Sequence, residues 1–305
     1  MKKYLCFDIS NLLYRTFHVQ TVPMDDEELA GLAAHSALMT LNKYFKQHKP
    51  DQVVMAFDRK SWRKDYTASA LCISGRPYKG NRRKDMSPAQ QAKYERFLGH
   101  LSEFESMIAQ CTTIISLRAD HLEADDLIAG FAQMHTEDEV IIISADSDLL
   151  QLKIHPNVTV ITPATDKEQS LKEYDNDAAY YLFQKCVRGD STDNVQSALP
   201  RVRATRIRKA YDDPFERVSL MKEKWTNEQN KEFIVEDLFE ENQLLIDLSM
   251  QPEPIRKAIE STIKQEMERE RAFSMFFIMK FIGKYKLNKI RDSIDQYIPL
   301  LSRQK

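Results

Sequence analysis

The chain has 305 residues, 42% of them hydrophobic and 30% charged, with 44 Lys and Arg against 46 Asp and Glu for a formal net charge of −2. That length allows two domains or one large one, with a sizeable core. Only 7 residues are glycine, and they stand too far apart for a G-x-G-x-x-G fingerprint or a P-loop, which argues against a dinucleotide oxidoreductase or a P-loop ATPase.

In chain order, apolar β-branched runs predict strands at residues 4–7, 53–57, 113–117, 140–143 and 158–161. Helical periodicity falls between them, at 27–47, 88–110 and 123–134. This alternation predicts an α/β fold over residues 1–185, with a mostly parallel central sheet and flanking helices. Beyond about residue 175 no strand is expected. Residues 178–187, 214–224, 227–248 and 256–276 read as helices, so 186–305 is taken as a helical C-terminal region. Cys6, Cys72, Cys111 and Cys186 form no C-x-x-C pair and read as reduced thiols, in keeping with a cytoplasmic protein. No signal peptide or run of 18 apolar residues is present, so no membrane association is expected, and the protein is read as a monomer.

The acids carry the chemical signal. Asp8, Asp58 and the pair Asp146 and Asp148 follow the ends of three predicted strands. Glu123, Asp125 and Asp126 open a helix, and Asp190 and Asp193 follow another. Singly, each has an ordinary role as a turn or helix cap. Together they would crowd the carboxyl edge of the sheet, where ligands of open α/β sheets bind. Two such charges 4 Å apart repel by ~4 kcal/mol at an effective dielectric of ~20. Protonation or bound cations relieve this. Oxygen ligands without His or Cys point to Mg²⁺ or Mn²⁺, and nine carboxylates suit two ions.

Charge is also segregated. Residues 59–84 hold nine basic residues against Asp65 alone, and 201–209 hold Arg201, Arg203, Arg206, Arg208 and Lys209 with no acid. Without the nine site acids the remaining chain carries +7. A basic body around an acidic pit fits metal-dependent hydrolysis of a phosphodiester backbone.

The motifs Phe7-Asp8-Ile9-Ser10-Asn11-Leu12-Leu13-Tyr14-Arg15, Ala56-Phe57-Asp58, Tyr78-Lys79-Gly80-Asn81-Arg82, Glu123-Ala124-Asp125-Asp126, Ser144-Ala145-Asp146-Ser147-Asp148 and Gly189-Asp190-Ser191-Thr192-Asp193-Asn194 resemble, in order, those of the 5′-nuclease family. That family includes flap endonucleases, the 5′-nuclease domain of bacterial DNA polymerase I and bacteriophage ribonuclease H. The stand-alone length, and Asn242 to Leu248, are most similar to the phage members. The resemblance implies a PIN-like core and a structure-specific nuclease acting at 5′ ends. Its substrates would be 5′-flap DNA and RNA–DNA hybrids, cleaved with two Mg²⁺ in primer removal during replication.

By motif, Asp8, Asp58, Glu123, Asp125 and Asp146 would serve the first ion, with Asp126 at or just outside that shell. Asp148, Asp190 and Asp193 would serve the second. Lys79 and Arg82 would reach the scissile phosphate from an arch or loop over residues 76–100. Tyr78, Arg83, Arg15, Arg201, Arg203 and Arg206 would contact nucleic acid. Replication partners such as a single-strand-binding protein or sliding clamp are also implied, and a host-cytoplasm location if the gene is phage-borne.

One departure stands out. The glycine-rich hairpin of the family's helix-three-turn-helix element is replaced by Val195-Gln196-Ser197-Ala198-Leu199-Pro200-Arg201. An amide-lined cation nest needs residues tolerant of unusual backbone angles. The expectation is that the arginines of 201–208 supply side-chain charge instead. The rival readings are a haloacid-dehalogenase-like phosphatase, a toxin-type nuclease and a non-catalytic nucleic-acid-binding protein on the same fold. The phosphatase would need Asp where Ser10 stands. The toxin type is far shorter. Loss of chemistry would leave gaps in the acid set.

Overall fold

The computed structural model describes residues 1–13, 24–81 and 87–302. Five parallel strands form its centre: β1 (Lys3–Asp8), β2 (Gln52–Ala56), β3 (Ile115–Leu117), β4 (Glu139–Ile143) and β5 (Val158–Thr162). A short antiparallel strand, β6 (Lys167–Glu168), closes one edge, and the order across the sheet is β3-β2-β1-β4-β5-β6. The register aligns Phe7 with Met55 and with Ile143, so β1, β2 and β4 end at one edge.

Alternate residues of each strand enter different cores, as the period of two requires. Leu5, Phe7, Val53, Met55, Ile141 and Ile143 face one layer. It contains α1 (Asp26–His48) and α3 (Pro88–Cys111), with the short α2 (Trp62–Ala68) between them in sequence. Tyr4, Cys6, Val54, Ala56, Val140 and Ile142 face the other, which contains α4 (Ala124–Met134). Both faces are covered, which is why the strands read as continuous apolar runs.

The chain continues through α5 (Ala178–Arg188), α6 (Ala204–Asp212), α7 (Pro214–Met221), a hairpin of β7 (Lys224–Thr226) and β8 (Glu232–Ile234), and α8 (Val235–Ile246). Next come α9 (Glu253–Glu268), α10 (Met275–Lys284), α11 (Asn288–Arg291) and α12 (Ile298–Ser302). The C-terminal helices return to the sheet. Ile259 and Ile263 of α9 join the α4 layer, while Ile278, Phe281, Leu300 and Leu301 join the α1 and α3 layer. Gly130 permits the first contact: a Cβ there would lie 2.2 Å from Ile259.

Two expectations change. The region after residue 175 is not purely helical, because Trp225 stacks on Phe233 across the β7–β8 hairpin and Trp225 Nε1 donates to the Ala198 carbonyl. These aromatics favour a pleated, half-buried surface over a helix. The predicted helix 256–276 is two helices. Between them Arg271 turns back onto the carboxylate of Glu266.

Candidate active site

The first acids stand directly on the sheet edge. Asp8 is the last residue of β1 and only 6% exposed. Its carboxylate accepts from the Asn11 amide (3.0 Å) and the Ser144 hydroxyl (3.1 Å). Asp58, two residues beyond β2, accepts from the Ala124 amide at 2.7 Å, so it lies against the positive end of α4. Asp146, beyond β4, caps a 3₁₀ turn by accepting from the Asp148 amide at 2.9 Å. Glu123 is the N-cap residue of α4, with Asp125 and Asp126 in its first turn. Oxygens of Glu123, Asp125 and Asp126 lie within 4.8 Å of one another.

Crowding has its expected electrostatic effect. Burial, then the charges of Asp58 and Asp146, pushes the Asp8 carboxyl up to about 7. Burial and Glu123 raise Asp58, while burial, Asp126 and Glu123 lift Asp125 well above the ordinary range. These groups are close and under-neutralised.

The remaining acids stand on turns. Asp148 and Asp190 share Lys185 of α5, whose Nζ lies 2.9 Å from Asp190 and also bonds Asp148. Burial raises Asp148 to about 6 despite Lys185, with Asp146 adding to the rise. At Asp190, burial is outweighed by Lys185, and the pKa falls. Asp193 is buried, and Tyr78 Oη donates to it at 2.7 Å. The turn requires Gly189, whose φ is +68° and whose added Cβ would meet the Gln196 backbone at 2.6 Å.

Lys79 spans the two groups. Its Nζ lies 2.5 Å from Glu123 and 3.5 Å from Asp193, and burial is more than offset by these anions, so the ammonium is held charged. Although burial opposes it, Lys79 and Arg63 bring Glu123 down to about 2. Contacts join all nine carboxylates. Ser144 links Asp8 to Asp146, which caps Asp148, and Lys185 links Asp148 to Asp190, beside Asp193. Lys79 links Asp193 to Glu123, which lies with Asp125 and Asp126, and Ala124 of that turn donates to Asp58.

Residues 3–184 match the family model for the 5′-3′ exonuclease N-terminal resolvase-like domain. The chain belongs to the 5′-3′ exonuclease family. It is 26% identical to DNA polymerase I of Bacillus subtilis over 290 residues, covering 90% of this chain and 31% of that protein. It is 28% identical to the 5′-3′ exonuclease of Aquifex aeolicus over 201 residues, covering 64% of each. The chain thus spans about a third of the polymerase's length. Among solved structures it is similar to the bacteriophage T5 flap endonuclease in a pseudo-enzyme–product complex with DNA and metal ions. The TM-score is 0.64 at 18% identity, over 87% of this chain and 98% of that one. It is also similar to the T5 5′-exonuclease with bound zinc, at a TM-score of 0.63 and 19% identity, over 87% and 98% of the two chains. These structural likenesses bear on the fold.

In this exonuclease-family chain the other expected residues separate. Arg15, Arg82 and Arg83 lie outside the described residues, as does part of the expected arch (residues 82–86); residues 88–100 form the first half of α3. Tyr78 is a correction. It is 5% exposed, packs with Val195, Leu245 and Ile246, and uses its hydroxyl on Asp193, so no ring face is offered to a base. Asp126 is fully buried, and both its oxygens face Arg63 at 2.9 and 3.0 Å, with Gln251 Nε2 at 3.1 Å. Arg201, Arg203 and Arg206 are exposed around the start of α6, with Arg201 at φ +58°. Arg206 bonds Glu223, whereas Arg201 and Arg203 have no ion-pair partner among the described residues.

Two cations were missed. Lys185 sits one helical turn before Gly189, and five residues before Asp190, a spacing that could have flagged it. Arg63 is 1% exposed and holds Asp126, Glu123 and the Leu245 carbonyl. Nothing in the basic run 59–64 distinguishes it from its solvated neighbours.

Proposed function

We propose that this chain is a divalent-metal-dependent 5′-nuclease that hydrolyses phosphodiesters near 5′ ends. Its substrates are 5′-flap DNA and RNA–DNA hybrid, and it acts in primer and flap removal during replication. The observation that carries this is the convergence of Asp8, Asp58, Glu123, Asp125 and Asp146 on one sheet edge, with Asp8 lifted to about 7 by burial and its neighbours. The donor set fits Mg²⁺, with Mn²⁺ able to substitute: every candidate ligand atom is a carboxylate oxygen, and no His or Cys lies in the set.

Asp8, Asp58, Glu123, Asp125 and Asp146 would hold one ion, and Asp148, Asp190 and Asp193 a second. When bound, Mg²⁺ supplies the charge that activates water and offsets the leaving oxygen. The chain's own residues do the rest. Asp126 acts by fixing Arg63, which in turn fixes Glu123. Lys79 keeps its proton and offers it to a non-bridging phosphate oxygen arriving beside Glu123. Lys185 balances Asp148 and Asp190 and orients them. Arg82, in the same motif, would add a second cation to the phosphate. Arg201, Arg203 and Arg206 would hold duplex backbone, and by their motifs Arg15 and Arg83 would contact nucleic acid as well.

The test is a comparison of two 5′-labelled substrates, a DNA flap and an RNA primer on DNA, with Mg²⁺ and with EDTA. Short 5′ products from both, only with Mg²⁺, are expected. Binding without cleavage under all conditions would favour the non-catalytic reading.

A further inference from the structure

We infer that α8, which carries none of the site acids, holds Lys79 in register with the turn-borne acids, and that Glu241 is a positioning residue for the cleavage proposed above, on which this inference rests. Glu241 is 3% exposed. Its carboxylate accepts from the Ile73 amide (2.8 Å), the Ser74 amide (2.9 Å), the Ser74 hydroxyl (2.8 Å) and the Cys72 thiol (3.3 Å). All four donors are neutral and all come from one stretch of loop. A carboxylate buried without such donors is costly, so the carboxylate and the loop fix one another. Before Ile73 the loop is held mainly by bonds to its own neighbours, the Cys72 amide to the Ser69 carbonyl and the Leu71 amide to the Ser69 hydroxyl, and beyond it by the Tyr78 amide on the Thr67 hydroxyl. Besides Glu241, Lys231 Nζ reaches the Ile73 carbonyl from the β7–β8 hairpin.

Five residues beyond Ser74 the same stretch delivers Lys79. The next residue of α8 serves the opposite wall. Asn242 is 2% exposed and its Nδ2 donates to the carbonyls of Cys186 and Gln196, both at 2.8 Å. Those carbonyls flank the turn that bears Asp190 and Asp193. The two walls are then tied together. The Lys79 amide donates to the Asp193 carbonyl at 2.8 Å, and Asn194 Nδ2 donates to the Pro77 carbonyl at 2.9 Å. The end of α8 also reaches the strand-borne half, because the Leu245 carbonyl accepts from Arg63 Nε at 2.8 Å. Consecutive side chains on one helix thus set the distance between the ammonium and the acids it must serve.

The test compares Glu241→Ala and Glu241→Gln in the full chain. Glu241→Ala should lower single-turnover cleavage of 5′-flap DNA in Mg²⁺ by roughly 10- to 100-fold, the scale of an ångström misplacement. Flap affinity, measured with Ca²⁺ in place of Mg²⁺, should change less than about threefold. Glu241→Gln still offers an oxygen to the Ile73 and Ser74 amides and should recover most of the rate. In a Lys79→Ala background, Glu241→Ala should cost less than about threefold more, since its effect runs through Lys79. Hydrogen exchange at the Ile73 and Ser74 amides should quicken in Glu241→Ala whether or not the protein cleaves. Additive rate losses, or unchanged exchange, would overturn the inference. A wild type that cleaves neither flap nor hybrid would overturn the functional reading instead, and the exchange would still decide whether Glu241 holds the loop.

Discussion

The two halves of the acidic site are built from different material. Asp8, Asp58 and Asp146 issue from adjacent parallel strands, and backbone amides or a serine hydroxyl hold their carboxylates. Asp148, Asp190 and Asp193 sit on turns and depend on Lys185, Tyr78 and Lys79. The first half is as rigid as the sheet. The second rests on amides of its own turn at Asp190, from Thr192 and Asp193, and otherwise on the side chains of Lys185, Tyr78 and Lys79. Among the strand-borne acids, burial and neighbouring charge raise Asp8 and Asp58; among the turn-borne ones, Lys185 lowers Asp190 but does not offset the burial of Asp148, which stays raised.

Substitutions in the two halves should therefore differ in kind. Asp146→Asn should lower cleavage by roughly 10³-fold or more, the scale of losing a preorganised electrostatic group, and leave the melting temperature near wild type. Asp190→Asn should cost less and be partly restored by raising Mg²⁺. Equal losses that Mg²⁺ does not touch would remove the distinction.

Next in size is a stability effect beneath the strand-borne half. Arg63→Met leaves Asp126 buried without its cation and should cost about 3–5 kcal/mol in urea unfolding. Adding Asp126→Leu should return much of it. If Arg63→Met alone is neutral, the buried pair is not what braces Glu123.

The turn-borne half leads into the basic segment around α6, where a smaller effect is expected. Arg203 lacks an ion-pair partner among the described residues and Arg206 has Glu223. Arg203→Ala should therefore flatten the salt dependence of duplex binding by about one unit of log–log slope, and Arg206→Ala by less. An unchanged slope in both would place the duplex elsewhere.

The smallest effect concerns α5, which carries Lys185. Burial raises its N-cap Asp177, but the Tyr180 amide, the Tyr211 hydroxyl and the Ala179 amide outweigh it, and the pKa is lowered. A carboxyl lowered on folding stabilises above its unfolded value and loses that contribution as pH falls through its folded value. Asp177→Ala should thus cost about 1 kcal/mol at neutral pH, with the gap from wild type narrowing below about pH 4. A gap constant from pH 7 to pH 3 would contradict this.

This division also explains what was legible in the sequence. Strand-borne acids announce themselves, because a β-branched run followed by Asp is a local pattern and parallel strands bring such ends to one edge. Asp8, Asp58 and Asp146 each end or follow such a run, at β1, β2 and β4. The supports of the second half are long-range. Glu241 meets Ile73 across 168 positions, and Tyr78 meets Asp193 across 115. No local periodicity encodes such pairings. Tyr78 shows the same limit, since an aromatic beside basic residues reads as a stacking surface until packing shows its ring buried against Leu245 and Ile246. The β7–β8 hairpin escaped because its strands are three residues each, too short to show alternation against the helical pattern around them.

The proposed function requires divalent ions to share the charge of these carboxylates. Electron paramagnetic resonance of Mn²⁺ titrated into the wild type and into Asp8→Asn measures this without requiring turnover. The expected result is saturable Mn²⁺ binding by the wild type, displaced by Mg²⁺ and sharply weakened in Asp8→Asn. Free Mn²⁺ throughout the titration, or identical binding by both proteins, would contradict it.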